Sequence, residues 1–140
     1  MPAAEDCYRK ALAIYRQAHG ADSQAAAIAL GNLARIAHDR KDYAQTVALA
    51  EESLAIWRDA KGAEDPEVHA TLLYWLGLGH AHLSHFEDAE EALLEANERA
   101  ESGLGAEHYL TRLVMSALVE LYRASGRPED AEEWRGRLGK

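Results

Sequence analysis

At 140 residues the chain is long enough for one domain with a continuous core. A net charge of −9, from 15 basic and 24 acidic residues, argues against nucleic acid, whose phosphates need a basic footprint. The sequence has no apolar run long enough for a membrane span and no signal-peptide core. Its single Cys7 cannot form an internal disulfide, so a reducing, cytoplasmic setting is expected, with no membrane partner.

Taken in chain order, residues 3–19 predict a helix containing Ala11-Leu12-Ala13-Ile14 and stopped by Gly20-Ala21-Asp22. Residues 23–62 predict two helices. The first has apolar residues at Leu30, Leu33, Ala34 and Ala37, the i, i+3, i+4, i+7 spacing of one helical face. The second follows Asp42 and Gln45, a capping pair, and carries small residues at Thr46, Ala50 and Ser53 before Gly62. Residues 66–105 repeat the plan. Pro66 after Asp65 suits a first helical position, and Leu73, Leu76, Gly77 and His80 form the face. Ser84 with Glu87 reads as a capping box, and Ala89, Leu93 and Ala96 precede Gly105. Residues 107–138 repeat it again with Met115, Leu118, Val119 and Tyr122, a Gly126/Pro128 break and Ala131. No stretch alternates with period two long enough to argue for a strand.

Gly20, Gly62 and Gly105 are 42 and 43 residues apart, in register with the helical faces around them. Regular helical repetition predicts an array that presents a surface rather than a catalytic centre. The middle unit, with Leu76-Gly77, His80, Phe86, Ala89, Leu93 and Ala96, resembles the tetratricopeptide repeat; His80 stands where that family usually has Tyr, and Leu73 replaces its frequent Trp. In the third unit Tyr122 is in place, and Pro128 stands at the position of Phe86. The period is similar to that of the long subclass found in kinesin light chains. The resemblance implies an all-α, right-handed α-solenoid of antiparallel helix pairs, with about three units after an N-terminal half-repeat and about seven helices in all. It also implies a protein–protein interaction scaffold that binds a peptide or protein segment in its concave groove, with no enzymatic activity and no cofactor.

In that family the first helix of each repeat lines the groove, and residues between the core positions face the ligand. Here these include Ile28, Gly31, Asn32, Arg35, His38 and Asp39; Thr71, Tyr74, Trp75, Leu78 and His82; and Leu113, Ser116, Ala117, Glu120 and Arg123. The expected binding set is Asn32, Arg35, Asp39, Tyr74, Leu78, His82, Ser116, Glu120 and Arg123. Tyr and Arg are common anchors at interfaces, and an Asn amide can both donate to and accept from a peptide backbone. A clamp for terminal carboxylates is not expected, because these positions contain no Lys.

No metal site is expected. His80 and His82 are two apart on a helix and point to nearly opposite sides, and His85 falls in the turn before Phe86. No serine or cysteine is placed beside a catalytic base. The acidic run from Glu87 to Glu101 and the cluster Glu129, Asp130, Glu132 and Glu133 read as a solvated outer face. At the N-terminal end, residues 3–19 match a second helix without its first-helix partner, which is expected to leave Tyr8 and Leu12 partly uncovered. The alternative function is therefore self-association, with a homodimer built through that helix. The charged helix 128–138, with Leu138 in a small-residue position, reads as a terminal cap.

Overall fold

The computed structural model describes residues 2–19, 24–59 and 64–139. The chain is all-α, with α1 (Pro2–His19), α2 (Gln24–Asp39), α3 (Tyr43–Asp59), α4 (Pro66–His82), α5 (Phe86–Leu104), α6 (Tyr109–Ala124) and α7 (Pro128–Leu138). No strand occurs among the described residues. The expected stops at Gly20 and Gly62, together with Ser23 and the side chain of Tyr8, lie outside the described residues.

The helices form two compact units, divided between Glu64 and Asp65. In the first, α2 packs against both α1 and α3. Its buried side is nearly all small: Ala26, Ala27, Ala29, Leu30, Gly31, Ala34 and Ala37. Small residues let two helix backbones approach closely, and α3 fills the remaining space with Leu54 and Trp57, exposed by 2% and 1%. The hydroxyl of Ser53 donates to the carbonyl of Ala27 at 2.6 Å. That bond joins the beginning of α2 to the later part of α3, so the pair is antiparallel.

In the second unit α4 pairs with α5 and α6 with α7, while α5 and α4 both touch α6. Gly77 is required by packing here: a Cβ at that position would lie 2.5 Å from Cγ of Leu93. Burying Leu93 completely contributes about 2 kcal/mol of hydrophobic stabilisation. The first-helix positions Leu30, Leu73 and Leu118 and the second-helix positions Ala50, Ala89, Leu93, Ala96 and Ala131 are all buried. The side chain of Arg112 donates to the carbonyl of Leu138 at 2.9 Å, which makes α6 and α7 antiparallel as well.

One backbone device recurs at the end of every first helix. Lys41, Ser84 and Gly126 have φ of 63°, 62° and 77°. After α4, the N–H of Ser84 bonds to the carbonyl of Ala81 and that of His85 to the carbonyl of His80. After α2, Lys41 bonds to His38 and Asp42 to Ala37; after α6, Gly126 bonds to Arg123 and Arg127 to Tyr122. These paired bonds are the Schellman motif, in which a residue with left-handed φ ends the helix and its orphan carbonyls are satisfied.

Ser84 is therefore the left-handed residue of a helix stop, and the capping box expected with Glu87 does not form. The N-cap of α5 is His85, which makes no side-chain cap bond. The other starts form as read: Asp42 accepts from the N–H of Gln45 at 3.3 Å, and Asp65 accepts from the N–H groups of Glu67 and Val68 with Pro66 at the first turn. Gly105 ends α5 with φ of 96°.

Candidate functional site

The second unit presents two neighbouring first-helix faces. On α4, Thr71, Tyr74, Leu78 and His82 follow one stripe by their spacing; the first three are half-buried and His82 is exposed. On α6, Tyr109, Leu113, Ser116, Glu120 and Arg123 form a matching exposed stripe. Two interactions show that the stripes face one another. The Tyr109 hydroxyl donates to Glu67 at 3.2 Å near the start of both helices. Further along, Tyr74 is held above its ordinary pKa by burial and then by the nearby Glu120 carboxylate.

Tyr74 is also fixed by its neighbour Trp75, whose ring meets it edge-on with centroids 5.2 Å apart. Leu113 and Tyr109 are exposed by 44% and 63%. The face thus offers apolar area beside carboxylates from Glu67 and Glu120 and the exposed guanidinium of Arg123. Such a combination provides apolar contact and polar orientation, as peptide recognition requires.

In the first unit, Ile28, Asn32, Arg35 and Asp39 form the equivalent stripe on α2, and all four are exposed. Arg35 lies 3.9 Å from Asp39, one turn on. An exposed pair of that kind is worth little in stability, so both side chains can be redirected toward a ligand at small cost. Gly31 and Ala117 are buried, so these two positions expected between the core contacts contribute no side-chain surface.

Leu12 differs from expectation. It is only 7% exposed and lines a small cleft with Leu49 of α3, so the chain covers it without a second copy. The exposed apolar residue of α1 is Ile14, at 65%. Two of the serine hydroxyls are committed to backbone carbonyls, Ser53 to Ala27 and Ser125 to Tyr122.

Behind the α4–α6 face, a cleft of about 530 Å³ runs between the α4–α5 turn and the end of α6. Tyr122 and Arg127 line it together with Glu90. Near it, His80 and His85 bring their Nδ1 atoms to 3.2 Å. Helical spacing sets His80 apart from His82 but does not disclose this pair, five residues apart across the turn. The signal that identifies it is the helix stop itself, which turns the backbone so that residues five apart meet.

None of the described helices is long and apolar enough to cross a membrane. No curated protein matches the chain. Residues 1–59 match the sequence profile of the family described as tetratricopeptide repeat, so that stretch of the chain is similar to tetratricopeptide repeats.

Proposed function

We propose that the chain is a non-catalytic interaction module that holds a peptide or protein segment against the α4–α6 face. The observation that carries this reading is the pair of facing stripes, half-buried Tyr74 and Leu78 on one helix and exposed Leu113 and Tyr109 on the other. Glu120 and Arg123 supply polar contacts at one end, with Ser116 between them and Leu113. His82 extends the α4 stripe; in the first unit, taken by itself, Asn32, Arg35 and Asp39 form a separate exposed contact set on α2. The period of 42 and 43 residues supports the long kinesin-light-chain-like subclass, and the single cysteine supports a cytoplasmic setting.

A phage-displayed random peptide library selected against the whole chain tests the reading. Tyr74→Ala and Leu113→Asp should each weaken selected peptides by about tenfold or more, the cost of losing one interface anchor. Circular dichroism should show that both variants remain folded. Peptides that bind these variants as tightly as the parent chain would remove the α4–α6 face from consideration.

Self-association is the second reading, and the exposure of Ile14 favours it over a role for Leu12. It predicts a mass that rises with concentration and returns to the monomer value in Ile14→Asp. A monomer across the micromolar range would exclude it.

A further inference from the structure

The geometry points to a divalent transition-metal site, suited to zinc, formed by His80, His85 and Asp88 at the α4–α5 turn. One ligand atom from each residue can be chosen so that all lie within 4.8 Å of one another. The two histidine Nδ1 atoms are 3.2 Å apart. Zinc binds imidazole at about 2.0–2.1 Å, and tetrahedral angles then place two such nitrogens about 3.4 Å apart. The histidine pair therefore already has nearly the separation that a shared ion requires.

The backbone explains why the pair converges. His80 and His85 are the two residues joined by the longer bond of the helix stop, with the His85 N–H on the His80 carbonyl at 2.9 Å. Side chains flanking such a stop commonly meet in an apolar contact; here the contact consists of two imidazoles. The equivalent pairs in the other repeats are Ala37 with Asp42 and Tyr122 with Arg127, so only the middle repeat has two nitrogen ligands there. His108 provides a contrast. It also begins a helix, but its Nδ1 accepts from the N–H of Leu110 at 3.1 Å as a cap, whereas His85 turns its Nδ1 toward His80.

Without metal, one proton shared between the two nitrogens gives a single hydrogen bond. With metal, both lone pairs bind the ion, and Asp88 in the first turn of α5 supplies an oxygen. Three protein ligands leave the fourth position for water or an added ligand. His85 and Asp88 also line the 530 Å³ cleft, so the open position borders it. The C-terminal end of α4 favours a cation, the N-terminal end of α5 opposes it, and these helix-end effects are of similar size. The ligand set therefore decides the outcome. A bound ion would brace the turn that joins the two helices of this repeat.

The test is titration of the metal-free chain with zinc chloride, followed by the imidazole resonances of all histidines. His80 and His85 should shift together, saturate, and return on adding EDTA. Cobalt(II) in place of zinc should give the intense visible absorption of a four-coordinate ion. His85→Ala and Asp88→Asn should weaken zinc binding about tenfold or more, as losing support at a metal site does, while His82→Ala should leave it unchanged. Non-saturating shifts spread over all histidines, or equal weakening in His82→Ala, would overturn the site. If His85→Ala fails to fold, the resonances of the unaltered chain still decide the question.

Discussion

The hydroxyl of Tyr122 donates a 2.7 Å hydrogen bond to Glu90 Oε2, and the same oxygen accepts from Arg127 Nη1 at 2.9 Å. Arg127 also lies 4.7 Å from the centre of the Tyr122 ring. Tyr122 and Arg127 are the two residues joined across the α6 stop, and Glu90 belongs to α5. A single carboxylate thus ties one helix pair to the turn of the next. Burial first, and then Glu90, push the Tyr122 pKa well above its ordinary 10.0.

This linkage has a sign. Above pH 10.0, the ordinary tyrosine value, an unfolded chain loses the phenolic proton while the folded chain keeps it. Stability is then lost as pH rises, because the native state binds more protons. The thermal midpoint should fall between pH 10 and 12, roughly the window above the ordinary tyrosine pKa. Tyr122→Phe should fall less steeply, and at neutral pH it should be less stable by about 1 kcal/mol. Tyr74, also raised by burial, should leave a residual slope. Identical slopes for the two proteins would show that Tyr122 is not the group responsible.

Gly77 and Leu93 form a size-matched contact. Gly77→Ala gains about 1 kcal/mol of helix propensity and incurs an overpacking cost of about 1–3 kcal/mol. The expected net effect is destabilisation by up to about 2 kcal/mol, measured by urea unfolding. In a double-mutant cycle with Leu93→Ala, the clash should disappear and the two changes should couple. Strict additivity would argue that the residues do not constrain one another.

The helix stops make opposite predictions at equivalent positions. Lys41 and Ser84 adopt left-handed φ with a Cβ, whereas Gly126 does so without one. Lys41→Gly and Ser84→Gly should each stabilise by about 0.5–1 kcal/mol, and Gly126→Ala should destabilise by about 1 kcal/mol. Chemical denaturation of the three variants checks the pattern, and destabilisation by Ser84→Gly would contradict it.

The start of α4 depends on Asp65, which accepts from Glu67 at 2.9 Å and from Val68 at 3.4 Å. Asp65→Ala should cost about 1 kcal/mol. Asp65→Asn retains an acceptor and should lose less, and hydrogen exchange at the amides of Glu67 and Val68 should report the difference. Equal losses in the two variants would mean that the carboxylate acts through charge rather than as a cap.

The helices and their buried faces were legible because a 3.6-residue period marks them directly, as at Leu30, Ala34 and Ala37. The helix start at Pro66 and the break before Pro128 were also readable, since those residue types have local backbone roles; the cap bonds of Asp65 came only with the structure. Ser84 was misread because its pairing with Glu87 has the form of a helix start, while the real stop depends on a left-handed φ that no glycine announces. Leu12 was expected to be uncovered for want of a partner helix, although it is buried in the unit where α2 packs against α1. The His80–His85 pair was missed for a related reason: within a helix, five residues apart is not a facing distance, and the turn makes it one. Along α6 the exposed positions were readable from spacing, except at Ala117, which is buried; along α4 the same spacing falls on half-buried Thr71, Tyr74 and Leu78 and exposed His82.

The most direct test of the binding reading is backbone and side-chain NMR mapping of the chain with a selected peptide. Resonances of Tyr74, Leu78, Leu113 and Glu120 should move with one common saturation curve and give peptide contacts. A peptide that binds tightly while perturbing only α1 around Ile14, or only the cleft at Tyr122 and Arg127, would contradict the assignment of the α4–α6 face.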